Sequence, residues 1–236
     1  MRLLTFVPFF ILCSIGIANE SLPWIPGNHD GREPEFIASF LPENPIILEA
    51  GGHYGEDTER LSLKWPKGLI YTFEPNPEAY TRLEAIGKYY NNIKTFPFGI
   101  FSHTGYYTFN LNPLTDGSSS LFNDNKVPGV TWYQDTPITV FCKNLDEWAE
   151  ENGVTHIDYM WLDMEGAEYL TLLHAPKILD TVSVISTEVN FREFRKGMAQ
   201  FSDIAPFLIS KGFTLYKIWG NLDWQGTAIF IRNPSD

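Results

Sequence analysis

Short apolar segments alternate with amphipathic segments along most of this 236-residue chain. Apolar runs such as Pro45–Ala50 and Leu69–Glu74 are each followed by a segment with helical spacing, such as Glu56–Lys64 and Glu78–Tyr90. Strands that are apolar throughout are typical of a parallel sheet with helices packed on both of its faces. The sequence therefore predicts an α/β fold built on a mostly parallel sheet.

A polar stretch interrupts this alternation in the middle of the chain. Tyr106–Leu111 and Ile138–Cys142 have β character, whereas residues 112–135 are rich in Asn, Asp, Gly, Ser and Thr. A loop of this length inside a compact domain usually has a functional role or is mobile. We therefore expect a β insertion near residues 102–142.

The end of the chain has the pattern of a hairpin. Two apolar runs, Thr214–Trp219 and Thr227–Arg232, are joined by a loop that contains Gly, Asn and Asp. This pattern predicts an antiparallel final strand at or near one edge of the sheet. In such sheets, ligands bind at the carboxyl ends of the strands near a topological switch point, so functional residues are expected directly after the strands.

The N-terminal segment has the pattern of a secretory signal. A positive start precedes an almost wholly apolar segment, Leu3–Ile17, and small residues suit cleavage before Asn19. The sequence predicts a signal peptide over residues 1–18, a single domain over residues 19–236, and a secreted or periplasmic protein without stable membrane insertion. The alternative is an uncleaved anchor that leaves the domain in the cytoplasm, although the segment is short for a bilayer span.

Acidic residues dominate the charge of the chain. It has 29 Asp and Glu residues against 17 Lys and Arg residues, for a formal net charge of −12. Such a chain is repelled by phosphate backbones, and no local cluster of basic residues offsets the repulsion, so nucleic acid is excluded as a partner. Without residues 1–18 a single cysteine remains, Cys142, which predicts a free structural thiol.

Two loops together predict a site for a nucleoside-bearing cofactor. After the first strand stands a glycine turn with the spacing E-x-G-G-x-x-G, from Glu49 to Gly55, which brings backbone N–H groups close to a ligand. After the second strand stands Glu74, whose carboxylate suits the hydroxyl groups of a ribose. A dinucleotide would require G-x-G-x-x-G, and the first acid would repel its pyrophosphate. The loops favour S-adenosylmethionine, whose amino-acid end is cationic.

Four segments resemble the motif series of the FkbM-type S-adenosylmethionine-dependent methyltransferases. In chain order they are ILEAGGHYGEDT, YTFEPNP, the SSSL of Ser118–Leu121, and the IDYMWLDMEGAE of Ile157–Glu168. The resemblance implies a class I methyltransferase fold, with a seven-stranded Rossmann-like sheet, and O-methylation of a hydroxyl group. Two positions depart from the family pattern, which usually has Asn in place of His53 and often has Lys in place of Trp161.

The resemblance also implies which residues hold the cofactor. Glu49 and the turn after it would line the methionine end, Thr58 would hydrogen-bond near this turn, and Glu74 would hold the ribose. Asn76 would touch the adenine edge, or would form an Asx turn beside the proline that follows it. The predicted cofactor-binding residues are Glu49, Ala50, Gly51, Gly52, His53, Gly55, Thr58, Glu74, Pro75 and Asn76.

Acids after the later strands are the candidate catalytic residues. Methyl transfer to a hydroxyl requires an aligned acceptor and a group that removes its proton. Asp163 is the first candidate for this base, followed by Glu165 and Glu188, whereas a helix-capping role is the alternative for Asp163 and is favoured for Glu165 and Glu168. These acids could collect a hard cation, but histidine and cysteine pairs with metal-ligand spacing are absent from the sequence, and no metal is predicted.

The sequence therefore predicts a methyltransferase that acts on an oxygen of a small molecule or glycan. Two alternatives stay open: a nicotinamide-dependent Rossmann oxidoreductase, and a non-catalytic nucleoside-binding module with the same fold. Four aromatic residues would either line the acceptor pocket or pack in the core. They are Trp132, Tyr133, Phe191 and Phe194.

Overall fold

The computed structural model describes residues 24–26, 33–113, 115–126 and 136–233. Within these ranges eleven strands form two sheets. The strands are β1 (Trp24–Pro26), β2 (Ile46–Ala50), β3 (Leu69–Phe73), β4 (Ile93–Phe96), β5 (Gly99–Ile100), β6 (Gly105–Leu111), β7 (Thr136–Lys143), β8 (Tyr159–Leu162), β9 (Val184–Asn190), β10 (Phe213–Gly220) and β11 (Gln225–Arg232).

Helices connect most of these strands. Short 3₁₀ turns at Ala38–Phe40 and Asp116–Ser118 accompany them. The α-helices are α1 (Glu33–Ile37), α2 (Glu56–Lys64), α3 (Pro77–Tyr89), α4 (Leu145–Asn152), α5 (Glu168–Leu173), α6 (Pro176–Leu179) and α7 (Phe201–Ser210).

The main sheet has the order β1-β10-β11-β9-β8-β2-β3-β4. All neighbouring strands in it are parallel except β11, which is antiparallel to both β9 and β10. The predicted seven-stranded, mostly parallel sheet with an antiparallel final strand is therefore confirmed. The additional edge strand β1 has only three residues, too few to give a periodic signal in the sequence.

The predicted β insertion is a separate three-stranded sheet with the order β5-β7-β6. The apolar segment over residues 93–100 forms two strands, β4 and β5, which belong to different sheets. Pro97 lies between them, and proline cannot donate a ladder hydrogen bond. The break at this residue allows the chain to leave the main sheet and start the insertion.

Two hydrophobic cores lie on opposite faces of the main sheet. Successive side chains of a strand point to opposite faces, so Leu48 belongs to one core and Ile47 to the other. Helices α4 to α7 cover the first core, and Trp148 of α4 is fully buried in it against Phe73, with ring centroids 4.9 Å apart. Helices α1 and α2 cover the second core. Apolar strands between two helix layers explain why the strands lack a polar face.

The chain does not become helical directly after β8. Helix α5 begins only at Glu168, because Glu165 has a φ of 52° and Gly166 a φ of 109°. Left-handed residues of this kind do not continue a right-handed helix. Residues 163–167 therefore form a loop at the carboxyl end of β8, where a ligand is expected, and Asp163 is its exposed residue.

The predicted signal segment, residues 1–18, lies outside the described residues. Among the helices within them, none combines the length and apolar character that a bilayer span requires.

Candidate active site

The glycine turn brings the ends of three neighbouring strands together. The N–H groups of Gly51 and Gly52 both donate to the carbonyl oxygen of Phe73, at 3.0 Å each. Gly51 has a φ of 91°, and a Cβ at this position would lie 1.8 Å from the carbonyl oxygen of Asp163. Only glycine can adopt this conformation at so close an approach. The turn therefore joins the end of β2 to the ends of β3 and β8.

Glu74 links the two loops that the sequence identified. Its carboxylate accepts a hydrogen bond from the N–H of His53 at 2.8 Å and another from the N–H of Asn76 at 2.7 Å. The residue is 6% exposed, and burial raises the pKa of Glu74 although these N–H groups oppose the change. Each oxygen has a second lone pair, so the fixed carboxylate can still accept from a ligand hydroxyl.

Asn76 is the N-cap of α3. Its side-chain oxygen accepts from the N–H of Glu78 at 3.1 Å, directly before Pro77. This is the Asx-type geometry that the sequence left as one of two alternatives. The residue is buried.

Glu49 lies beneath the glycine turn. Its side chain is 0% exposed, and one oxygen accepts a hydrogen bond from the Thr58 hydroxyl of α2. The other oxygen lacks a hydrogen-bond partner within the described part of the chain. Burial raises the pKa of Glu49 to about 8, against the opposing hydrogen bonds of Thr58 and Thr72. The carboxyl group therefore supports the turn from below and does not reach the cavity above it.

A cavity of about 270 Å³ lies at the carboxyl ends of β2, β3 and β8. Five of the predicted cofactor-binding residues line it: Gly51, Gly52, His53, Glu74 and Pro75. The other five do not line it: Glu49, Ala50, Gly55, Thr58 and Asn76. The insertion completes the wall with mostly apolar side chains, among them Ile100, Phe109, Leu121 and Cys142.

Cys142 is buried, and burial raises the pKa of its thiol to about 12. The expected free structural thiol is confirmed.

A polar contact ties the glycine turn to the insertion. His53 Nε2 lies 3.2 Å from Asp116 Oδ1, and the Tyr54 hydroxyl donates to the other oxygen of Asp116. Burial acts to raise the pKa of Asp116, but the hydrogen bonds from Tyr54 and His53 outweigh it and lower this pKa. The His53 and Tyr54 rings stack with centroids 3.8 Å apart. His53, which departs from the family pattern, therefore contacts the insertion.

The loop after β8 is held in place by Glu168. Its two carboxylate oxygens accept from the N–H of Met164 at 2.7 Å and from the N–H of Gly166 at 3.0 Å. Burial raises the pKa of Glu168 to about 8. The structural role that the sequence favoured for this acid agrees with these contacts.

The three candidate catalytic acids lie together. One oxygen from each of Asp163, Glu165 and Glu188 lies within 4.8 Å of the others. Burial, followed by the charge of Asp163, raises the pKa of Glu165 to about 7, although Arg195 opposes the change. Burial and the charges of its neighbours also raise the pKa of Glu188 well above its usual value.

Arg195, which no sequence motif indicated, connects this cluster to the insertion. Its guanidinium donates to the Asp124 carboxylate and to the carbonyl oxygen of Ser118, and lies 3.4 Å from the Glu165 carboxylate. No motif surrounds this arginine, and Asp124 is 71 residues away in the chain. The SSSL motif pointed to Ser118, but nothing in the sequence pointed to Arg195, which binds its carbonyl oxygen.

A second cavity, of about 490 Å³, meets the first at Asp57, Gly117, Asp163 and Glu165, which line both. Glu188 and Ser186 of β9 line only the second cavity. Three tryptophans and two amides complete its wall: Trp161, Trp219, Trp224, Asn221 and Gln225.

Two of the four aromatic candidates for an acceptor pocket are among the described residues, and neither of them lines a cavity. Phe191 packs against Phe201 with centroids 5.3 Å apart, and Phe194 packs against Trp224 at 5.0 Å. These two residues form packing contacts. Trp132 and Tyr133 lie outside the described residues.

The chain is similar in sequence to several known proteins. A family model described as the methyltransferase FkbM domain matches residues 49–215. A Sinorhizobium fredii protein named 2-O-methyltransferase NoeI is 28% identical over 184 residues, which are 74% of this chain and 75% of that protein. Methyltransferase 1 of Beauveria bassiana is 23% identical and is matched over 76% of each chain.

A solved structure shows the same fold. The fibrillarin pre-rRNA processing protein of Methanococcus jannaschii aligns with a TM-score of 0.50 and 13% identity, over 82% of this chain and 68% of that chain. At this identity the similarity concerns the fold alone.

Proposed function

The chain belongs to the FkbM family of methyltransferases, and on that premise we propose that it transfers a methyl group from S-adenosylmethionine to a hydroxyl oxygen of a small molecule or glycan. The family model covers most of the chain, and the named relatives are methyltransferases. An oxygen acceptor is supported by the relative whose name specifies 2-O-methylation. Neither a nicotinamide-dependent oxidoreductase nor a non-catalytic module is favoured by this family membership.

The fixed carboxylate of Glu74 is the observation that carries the proposal. It lies in the wall of the first cavity beside the glycine turn, held by two backbone N–H groups. In this position it would accept hydrogen bonds from the two hydroxyl groups of a ribose. Pro75, Ile100 and Leu121 provide apolar walls for an adenine ring.

The positively charged end of the cofactor would face acidic residues other than Glu49. Because the Glu49 carboxyl group is buried under the turn, the acids of the first cavity that remain accessible to it are those beyond the turn, including Asp57 and Asp163. Carboxylates in a partly enclosed cavity favour a bound cation. When bound, S-adenosylmethionine supplies an electrophilic methyl group on a positively charged sulfur.

The acceptor would bind in the second cavity, whose wall meets the first at Asp163. Aromatic faces with a few polar groups are typical of small-molecule sites, and the tryptophans and amides of this cavity suit a polyhydroxylated acceptor. Asp163 would accept the hydroxyl proton of the acceptor when the methyl group passes from the sulfur of the cofactor to the acceptor oxygen. Glu165 and Glu188 are the next candidates for this role.

We further propose that residues 1–18 act as a cleaved signal and that residues 19–236 form one domain. The apolar segment and the small residues before Asn19 support cleavage there. Sequencing of the mature N-terminus tests this directly. Asn19 as the first residue supports an extracytoplasmic protein, whereas retention of Met1 supports an anchor with the domain inside.

Calorimetry with S-adenosylmethionine tests the cofactor site. We expect Glu74→Gln to weaken binding about tenfold or more, because a charged acceptor of two hydroxyl groups is lost. The matched control is Glu78→Gln, an exposed acid in the first turn of α3 that does not line the cavity. Equal affinity in the two variants, or no saturable binding by the wild type, would contradict the proposal. Release of S-adenosylhomocysteine across a panel of hydroxylated acceptors then measures turnover.

A further inference from the structure

Three carboxylates converge in the second cavity from the end of β8 and from β9. One oxygen each of Asp163, Glu165 and Glu188 lies within 4.8 Å of the others. Two oxygens on opposite sides of a Ca²⁺ ion, at about 2.4 Å each, are also about 4.8 Å apart, and Mg²⁺ draws its ligands closer. The three groups are therefore spaced as the ligands of a single hard cation would be, to within a small side-chain movement.

Two buried oxygen atoms beside this cluster lack a hydrogen-bond partner among the described residues. They are the Ser186 hydroxyl, on a residue 1% exposed, and Oε2 of Glu188, on a residue 8% exposed. Both residues line the second cavity, and because they are two positions apart on β9 they point to the same face of the sheet. A buried oxygen without a partner is costly. This pair of atoms indicates that the cavity takes a ligand with a positive or hydrogen-bonding surface.

The charge of the cluster also points to a divalent ion. Arg195 is the guanidinium that the structure pairs with it, 3.4 Å from Glu165, and this arginine also pairs with Asp124. Because Arg195 is shared with Asp124, its single positive charge offsets only part of the negative charge that the three cluster carboxylates can carry, and a divalent cation would reduce the remainder.

We propose that Asp163, Glu165 and Glu188 bind one hard divalent cation of the Mg²⁺ or Ca²⁺ class, with the Ser186 hydroxyl facing the same cavity. Oxygen ligands of this kind are those that such ions prefer. The site differs from the expectation of the sequence, in which these acids bind no metal. The role of the bound cation would be to hold the acceptor oxygen beside the methyl group, and this role rests on the proposed function.

Terbium luminescence provides a direct test, because Trp161, Trp219 and Trp224 line the same cavity and can sensitise a bound Tb³⁺ ion. The full chain, without cofactor or acceptor, is titrated with Tb³⁺ under indole excitation, followed by competition with Mg²⁺ and with Ca²⁺. We expect saturable luminescence that one or both divalent ions displace. Glu188→Gln should raise the apparent dissociation constant about tenfold or more, since an ionised ligand is lost.

The variants separate metal binding from folding. Glu188→Gln keeps an oxygen that can accept the hydrogen bond donated by Gln225, which measures 3.0 Å in the wild type. Asp163→Asn changes an exposed residue, so it should not disturb the core. The matched control is Glu150→Gln, an exposed acid of α4 that lines neither cavity. Thermal unfolding without metal checks that each variant is folded. Both cluster variants should lose Tb³⁺ affinity, while the control keeps it.

Two outcomes would overturn the cation site: wild-type protein without saturable luminescence, or equal Tb³⁺ affinity in the wild type and both cluster variants. Cofactor calorimetry keeps this result apart from the proposed function. Binding of S-adenosylmethionine without Tb³⁺ binding removes only the cation site. Binding of Tb³⁺ without S-adenosylmethionine supports the cation site and removes the proposed function.

Discussion

Glu49 combines full burial with an incomplete set of hydrogen bonds. One of its oxygens accepts from Thr58, whereas the other has no partner within the described ranges. A buried carboxyl group in this situation is more stable when protonated, and accordingly burial raises the pKa of Glu49 to about 8. The residue therefore links the stability of the glycine turn to pH.

Glu49→Gln should flatten the pH dependence of stability. Between about pH 5 and pH 8 the folded chain keeps a proton on Glu49 that the unfolded chain has lost. Raising the pH through this window therefore favours unfolding, by up to about 1.4 kcal/mol per pH unit for this group. The free energy of unfolding, measured in urea at several pH values, should fall less steeply in the variant. The exposed Glu35→Gln is the control and should keep the wild-type slope; an unchanged slope in Glu49→Gln would contradict the prediction.

At the scale of elements, the turn after β2 sets how closely three strand ends approach. The close approach of Gly51 to the Asp163 backbone leaves no room for a side chain. This contact fixes the loop that carries Asp163 relative to the loop that carries His53. Strand ends that are joined in this way hold the cavity wall in one arrangement.

Gly51→Ala should therefore damage both stability and cofactor binding. Its Cβ would lie 1.8 Å from the Asp163 carbonyl oxygen, in addition to the strain of a φ of 91°. Gly153→Ala is the matched control, because its φ is 65° but a Cβ there would meet nothing within 4 Å. We expect a loss of about 1 kcal/mol for the control and several times more for Gly51→Ala, in urea unfolding. Similar losses in the two variants would show that the close approach is unimportant.

The local motifs were sufficient to predict the strand–turn–helix units but not every side-chain direction. The glycine turn and Glu74 follow from residues that are close in sequence, and half of the predicted cofactor residues line the first cavity. Glu49 lies on the same strand face as Ile47, and the sequence does not show which face of β2 meets the cavity. Arg195 could not be found because its partners, Ser118 and Asp124, come near it only in the folded chain.

At the scale of the whole molecule, the insertion is a second small sheet that covers the carboxyl edge of the main sheet. Arg195 joins the two through Asp124 and Ser118 on one side and Glu165 on the other. His53 and Asp116 form a second connection. The cavity wall therefore depends on contacts between parts of the chain that are far apart in sequence.

Arg195→Met should loosen the insertion. The side chain is 7% exposed, and its loss leaves the Asp124 carboxylate without this partner at a partly buried site. We expect faster limited proteolysis within residues 102–142 and a cofactor affinity reduced about tenfold. The control Lys196→Met removes a neighbouring exposed charge. Proteolysis at the wild-type rate in Arg195→Met would contradict the anchoring role.

The wall that the two cavities share has a kinetic consequence. The cavities share four lining residues, Asp57, Gly117, Asp163 and Glu165, but each also has lining residues of its own, so emptying one does not require emptying the other. In the proposed reaction, a spent donor can be exchanged for a fresh one while a long acceptor stays seated.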